Sequence, residues 1–297
     1  MANLKEIRGR IKTVQNTQQV TKAMKMVAAA KLRKATDRMI QLRPYAAKMK
    51  NIIGNVVSAL NIDEIPSKLV EQRPVKNVLL VIVSSNRGLC GPFNANLFRF
   101  TNQYIQENLS SFKQSGNLHA ICLGKKGFDY FSKRGIKMVD GKNFDVLTQL
   151  SFERVNEVTE RIFDGFINGE WDKVVVMYNE FKNVMSQNRI AEPFLPITIE
   201  QSATPVKSAN TDYIFEPGRE KILVDLIPNS LKIRLYRSVL ESNASEQGSR
   251  MVAMDQATEN GNALLKELKL KYNKARQAAI TKEILEIAGG ADALANA

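Results

Sequence analysis

Apolar residues in the first sixty positions recur at alternating steps of three and four. The series runs Leu4, Ile7, Ile11, Val14, then Ala28, Leu32, Ala35, Met39, Leu42, Ala46, Met49, Ile53, Val56 and Leu60. This is the heptad seam of a coiled-coil helix. At about 1.5 Å per residue such a helix makes a rod of roughly 85 Å. Pro44 is the one breaker inside it and predicts a kink near Arg43. The seam lapses at Gln18, Thr21 and Lys25, where the apolar residues slip to Val20, Met24 and Val27 ahead of the small run Ala28-Ala29-Ala30. The lapse predicts that the helix there leaves its partner helix and meets another surface.

Residues 219–287 mirror this pattern. Ile227, Leu231, Leu235 and Val239 step by four, and Met251, Met254, Thr258, Gly261, Leu265, Leu268, Tyr272, Ala275 and Ala279 step by three and four. No proline follows Pro228, so this second helix is expected to run beyond fifty residues. Neither rod buries its stripe alone. Because both lead into one intervening domain, they are expected to pair with each other, antiparallel.

Between them the texture changes. Val78-Leu79-Leu80-Val81-Ile82-Val83 is a continuous run of the kind found in a strand buried on both faces. His119–Leu123 and Lys173–Tyr178 read as two more strands, with helical patterns at Ala95–Ser111, Lys125–Lys133 and Phe152–Asn168. Strand alternating with helix means βαβ units. The expected class is therefore α/β: a long antiparallel coiled coil of the terminal helices plus a central doubly wound, Rossmann-like domain. Pro66 and Pro74 on one side and Ala203–Pro217 on the other mark loops. They set the expected division: helix 1–60, linker 61–74, α/β domain 75–206, and a linker and second helix over 207–297.

Charge sharpens this picture. The 297 residues carry a net +13, and residues 1–60 alone hold thirteen basic and two acidic side chains, or +11. A field so localised points to an anionic partner: nucleic acid, lipid headgroups or an acidic protein surface. No stretch of eighteen apolar residues occurs, so no transmembrane segment is expected. Met1-Ala2-Asn3-Leu4-Lys5-Glu6 has neither a signal peptide's apolar run nor an import leader's composition. Two cysteines, Cys90 and Cys122, fit a reducing compartment. The chain reads as cytosolic or cytosol-facing.

Catalytic chemistry is thin. Ser84–Pro92 follows the first strand, where α/β folds bind phosphates, but it holds neither G-x-G-x-x-G nor a lysine-bearing P-loop. Its plain reading is a strand-to-helix turn whose glycines permit tight approach. Cys90 has no visible base, since His119, the single histidine, lies inside a predicted strand. Two separated cysteines and one histidine give no metal-ligand spacing. No catalytic, cofactor-binding or metal-binding residue is assigned. For the basic helix, nucleic-acid binding calls for interleaved aromatics, yet Tyr45 is the sole aromatic of residues 1–60. Membrane adsorption calls for a bulky apolar face, which is absent. An acidic protein surface is the best-fitting partner. A stand-alone basic coiled-coil protein for nucleic acid is the competing reading, and an enzyme using the Ser84–Gly91 loop is the third.

Long segments of the chain resemble the gamma subunit of F-type ATP synthases, bacterial type. Glu6-Ile7-Arg8, Val14–Gln18 and Thr21–Lys31 resemble its start, and Ser84–Gly91 its post-strand loop. Ser245–Met254, Tyr272–Gln277 and Ile280–Glu286 through Gly290-Ala291 resemble its C-terminal helix and signature. The resemblance spans the whole chain in order. It implies a rotor shaft: terminal helices inside a ring of three alpha and three beta subunits, with the α/β domain near the epsilon subunit and the membrane c-ring. It also implies that proton flow turns the shaft, that the catalytic chemistry belongs to beta, and that ATPase regulation acts through the complex.

By resemblance, Lys22, Met24 and Lys25 face an acidic lever loop of beta, with Gln247 and Arg250 at the opposing positions. Arg276, Gln277 and Thr281 match positions that meet a beta catch loop. The matching family segment often carries Glu where Lys25 stands, so this chain is more basic there. Nothing resembles the redox insert of the plastid members, and thiol regulation is not expected. The implied location is the cytoplasmic side of a bacterial inner membrane, peripheral and held through the complex.

Overall fold

The computed structural model of the chain describes residues 4–57, 68–139, 141, 143–197 and 219–295. In order these form α1 (Leu4–Val57), β1 (Val78–Val83), α2 (Phe93–Asn108), α3 (Ser110–Gln114), β2 (Leu118–Leu123), α4 (Lys125–Phe131), β3 (Lys137–Met138), α5 (Asp145–Thr148), α6 (Phe152–Ile167), β4 (Lys173–Phe181), β5 (Gln187–Leu195) and α7 (Arg219–Ala295). They make two compact units, one of residues 1–28 and 250–297, the other of residues 29–249. Both α1 and α7 contribute to each.

The larger unit is organised by β1, whose six residues are all buried. Such a strand must lie at the centre of a sheet, and it does: the order is β3-β2-β1-β4-β5. β1 runs parallel to β2 and β4, with Leu80 opposite Ala120 on one side and Val175 on the other. Leu79, Val81 and Val83 point to one face, where Val155, Ile162 and Phe166 of α6 meet Ile227, Leu231, Leu235 and Val239 of α7. Val78, Leu80 and Ile82 point to the other, against Leu97, Phe98 and Ile105 of α2 and Phe131 of α4. Each side chain of this kind contributes about 1.5–3 kcal/mol when fully buried. Helices thus cover both faces of a parallel sheet, the doubly wound arrangement read from the strand–helix alternation.

The step-by-four stripe Ile227–Val239, read above as an extension of the rod's seam, covers this sheet instead. A period-four stripe fixes which side of a helix is buried, not what buries it. β3 and β5 were not among the expected strands. β3 spans two residues, and β5 is an edge strand of mixed polar and apolar residues pairing antiparallel with β4. It carries Pro193, which an edge tolerates because it offers no N–H to the ladder.

The helix read as Ala95–Ser111 begins at Phe93, ends at Asn108 and is followed by the separate short helix α3. α1 remains helical through Pro44, and α7 through Pro228. The side chains of Ala46, Ile53 and Val56, together with Leu60, Pro66 and Ala203–Pro217, lie outside the described residues.

One corner of the larger unit shows how its loops are tied. Trp171 is fully buried and donates its indole N–H to the carbonyl of Ile162 at 3.0 Å. Its ring occupies the space over Gly165, where a Cβ would stand 2.0 Å from Cζ2. Beside it Asp172 accepts from the backbone N–H groups of Lys76 and Asn77 and pairs with Arg73 at 2.6 Å. Arg73 also donates to the carbonyls of Phe166 and Trp171. Burial alone would raise the Asp172 carboxyl. The two N–H groups and the guanidinium outweigh it and hold the pKa below the usual carboxylate range.

Candidate functional site

The smaller unit is a pair of helices, residues 4–28 of α1 against residues 250–295 of α7. Their cross-links fix the direction. Arg8 donates to the Tyr272 hydroxyl at 2.7 Å, Gln18 to Asn262 Oδ1 at 2.8 Å, and Lys25 pairs with Asp255 at 2.5 Å. As the α1 partner advances, the α7 partner retreats by the same number of residues, so the pair is antiparallel, as expected. Ile7, Ala28, Met254 and Leu268 supply its apolar contacts.

Between those contacts the interior is polar. Thr21, 9% exposed, lies 2.8 Å from the Thr258 hydroxyl. Gln18 adds a hydrogen bond to the Thr258 carbonyl at 3.3 Å, and Thr258 donates to its own helix at the Met254 carbonyl, 2.8 Å away. The backbones come close enough that a Cβ on Gly261 would stand 2.7 Å from Gln18 Cγ. This overturns one expectation. Where the apolar seam lapses, the helix does not leave its partner: Gln18, Thr21 and Lys25 keep the seam positions and bind Asn262, Thr258 and Asp255. Of the displaced apolar residues, Val20 and Val27 are exposed and Met24 is half-buried, and Met26 next to them is exposed as well. Over this stretch the seam is polar, and α1 exposes Val20, Met26 and Val27 beside the polar Gln19 and Lys22.

The residues singled out by resemblance fall in different settings. Lys22 is exposed, Met24 and Arg250 are half-buried, and Lys25 shares its charge with Asp255 while both stay about half exposed. Arg276, Gln277 and Thr281 are exposed on α7, where the Thr281 hydroxyl donates to the Gln277 carbonyl at 3.0 Å. Every described side chain from Ile280 to Ala291 is exposed. Gln247 belongs to the other unit and is buried within its own chain, 7% exposed. Asp255, Asn262 and the Thr21–Thr258 pair were missed by the sequence reading. The signal lay in polar residues holding seam positions at reciprocal points of both helices.

The Ser84–Pro92 loop spends its polar groups on itself and its neighbours. Ser85 N–H donates to Asn94 Oδ1 at 3.1 Å, Asn94 to the Ser85 hydroxyl at 2.7 Å, and that hydroxyl to the Arg87 carbonyl at 2.7 Å. Asn86 spans to the Phe144 carbonyl and the Lys125 N–H. Close approach is needed not at Gly88, which has open space, but at Gly124 and Gly127. A Cβ on either would meet Ser84, at 2.4 Å from its carbonyl oxygen and 2.7 Å from its hydroxyl respectively.

Cys90 is buried and accepts from Asn94 at 3.3 Å. Burial pushes the Cys122 thiol up to about 12. Burial first, and then the neighbouring Lys137, hold His119 below its ordinary value against the pull of Glu170. Among the described residues no group of three His, Cys, Asp or Glu side chains is placed to hold a metal, and no helix is long and apolar enough to cross a membrane.

Comparison with known proteins matches this architecture to one family. The ATP synthase family model matches residues 3–294. The ATP synthase gamma chain of Cytophaga hutchinsonii is 49% identical over 301 residues, covering all of both chains. That of Chloroherpeton thalassium is 48% identical, covering 99% of each. A chain in the mitochondrial ATP synthase of Euglena gracilis (OSCP/F1/c-ring, rotational state 3) shares the fold, with a TM-score of 0.66 at 21% identity over 98% of this chain and 94% of that one. A chain of the central stalk and c-ring of the Tetrahymena thermophila mitochondrial enzyme aligns with a TM-score of 0.56 at 25% identity, covering 80% of this chain and 99% of that one. A full-length match at nearly half identity, on a chain whose terminal helices pair antiparallel, places this protein in the ATP synthase gamma-chain family.

Proposed function

We propose that the chain is the central-stalk rotor subunit of a proton-translocating F-type ATP synthase. It couples rotation of the membrane c-ring to sequential conformational change in the catalytic beta subunits. The observation that carries this reading is the antiparallel helix pair: directional hydrogen bonds across its seam, with Val20, Met26, Val27 and Lys22 exposed on α1. A shaft must hold its own helices together while presenting a surface that slides, and exposed apolar side chains make no directional bonds that would resist sliding. Basic charge adds attraction to an acidic sleeve without a tightly fitted contact.

On this reading the alpha and beta subunits form the sleeve, epsilon and the c-ring bind the α/β domain, and the nucleotide chemistry belongs to beta, so the chain itself is not catalytic. The divisions 1–60, 75–206 and 207–297 are its functional parts. Lys22, Met24, Lys25 and Arg250 face the beta lever, and Arg276, Gln277 and Thr281 face the catch loop higher on α7. Gln247 joins that set by resemblance, but its burial favours a contact within its own chain. The chain is peripheral to the cytoplasmic face of a bacterial inner membrane.

Reconstitution tests this. Added to purified alpha and beta subunits, the full chain is expected to co-assemble and to be required for sustained, rotation-coupled ATP hydrolysis. Failure to co-assemble, together with a salt-dependent shift of nucleic acid in gels, would replace the rotor reading with the nucleic-acid one.

A further inference from the structure

Within the larger unit, a cleft of about 410 Å³ lies between α1, the segment 147–151 and α7. It falls in the size range of small-ligand sites. Three cations line it, Lys31, Lys34 and Arg38, and facing them are the side-chain amides of Gln149, Asn243 and Gln247. No carboxylate and no aromatic ring is in the lining. Among the described residues, neither lysine has an acidic partner within ion-pair distance.

Arg38 uses one N–H on the Leu150 carbonyl at 3.0 Å, which fixes the guanidinium and leaves further donors. Gln247 is only 7% exposed as a residue and borders the cleft. Three positive charges and three side-chain amides around a recess with no acid of its own describe an oxyanion cradle. The missing aromatic surface leaves nothing for a nucleobase to stack on. A cleft recessed between three segments suits a compact anion better than an extended chain.

We propose that this cleft binds a small phosphate-class oxyanion, either free inorganic phosphate or the phosphate groups of a nucleotide, through Lys31, Lys34, Arg38 and Gln247. The site goes beyond the rotor reading and does not depend on it, because every group belongs to one unit of this chain.

The test uses the full chain, with inorganic phosphate, tripolyphosphate and ATP titrated by calorimetry and phosphorus NMR. Saturable binding is expected. Lys31→Ala with Lys34→Ala should weaken it about tenfold or more, the size of lost charge-assisted hydrogen bonds. Gln247→Leu, which keeps the buried volume, should weaken it severalfold. Lys113→Ala with Lys133→Ala removes the same charge elsewhere and should leave binding unchanged. Equal affinity for ATP and tripolyphosphate identifies a phosphate chain as the ligand, and tighter ATP binding identifies a nucleotide. The proposal is overturned by absent binding at millimolar phosphate, or by binding that ignores both cleft variants. It is also overturned if an acidic peptide binds through these residues more tightly than any phosphate. Because Lys31 and Lys34 are exposed, their variants keep the test decisive even if Gln247→Leu folds poorly.

Discussion

Removing the two hydroxyls at the centre of the shaft one at a time should cost more than removing them together. Thr21 lies 2.8 Å from Thr258, with second acceptors at the Gln18 carbonyl (3.1 Å) and the Met254 carbonyl (2.8 Å). Each hydroxyl has one proton, so the pair adopts one of two chains: Thr21 donates to Thr258, which donates to Met254, or Thr258 donates to Thr21, which donates to Gln18. Thr21→Val deletes the inter-helix bond but leaves Thr258 its own-helix carbonyl. Thr258→Val does the same in mirror image.

Each single substitution should therefore cost about 1 kcal/mol, the net value of a hydrogen bond whose surviving partner is only partly compensated. In the double variant two isosteric valines face each other, which is nearly neutral or slightly stabilising. The coupling energy should be about 1–2 kcal/mol. Hydrogen–deuterium exchange over peptides spanning residues 18–25 and 255–262 reads the opening free energy of this unit directly. Additive singles, or a double variant losing the full sum, would refute the reasoning. Either outcome would mean that the hydroxyls act separately and that the layer is not a unit.

Three further outcomes follow from the same geometry. Lys25→Glu puts a carboxylate opposite Asp255 and should destabilise the helix pair, whereas Lys25→Glu with Asp255→Lys should restore it; because the pair is about half exposed, Lys25→Ala should cost only about 0.5 kcal/mol by the same exchange measurement. Gly165→Ala drives a methyl into the fully buried Trp171 ring and should lower stability by about 3 kcal/mol in thermal denaturation, with Trp171→Phe recovering part of the loss. Asp172 has a folded pKa below its unfolded value, so its stabilisation is present above the ordinary carboxylate pKa and is lost as pH falls through the folded one. Asp172→Asn should therefore cost about 3 kcal/mol at neutral pH and flatten the acid limb of the stability profile measured by urea unfolding.

The elements that were legible in the sequence are those whose residues carry the signal by themselves. Val78–Val83 reads as a central strand because six consecutive branched apolar residues have no other economical home, and it is buried throughout. β5 was invisible because an edge strand exposes one side: Gln187, Asn188, Arg189 and Glu192 dilute the run and Pro193 argues against it. The polar layer escaped for a different reason. A search for apolar periodicity treats Gln18, Thr21 and Lys25 as a gap, when they are seam residues whose partners lie more than two hundred positions away. Only reading both helices together, with Asp255, Thr258 and Asn262 set against them in reverse order, turns two gaps into one interface.

That interface bears on why a shaft would be built this way. In the rotor role proposed above, the helix pair turns inside a sleeve, and any apolar side chain that sleeve presents would compete for the same contacts. A purely apolar seam cannot tell the partner helix from such a sleeve, since burial against either yields a similar free energy per unit area. Hydrogen bonds can tell them apart. Splaying the helices would leave Thr21, Gln18 and Thr258 facing a surface that does not match their donors and acceptors, and a buried polar group without its partner costs about 1–3 kcal/mol. A polar group at a seam position also fixes register at some cost in stability, and a slip of one residue here would break the Thr21, Gln18 and Lys25 bonds at once. With specificity held inside, the outward Val20, Met26 and Val27 are free to make contacts that need not be specific, which is what a surface meeting several neighbours in turn requires.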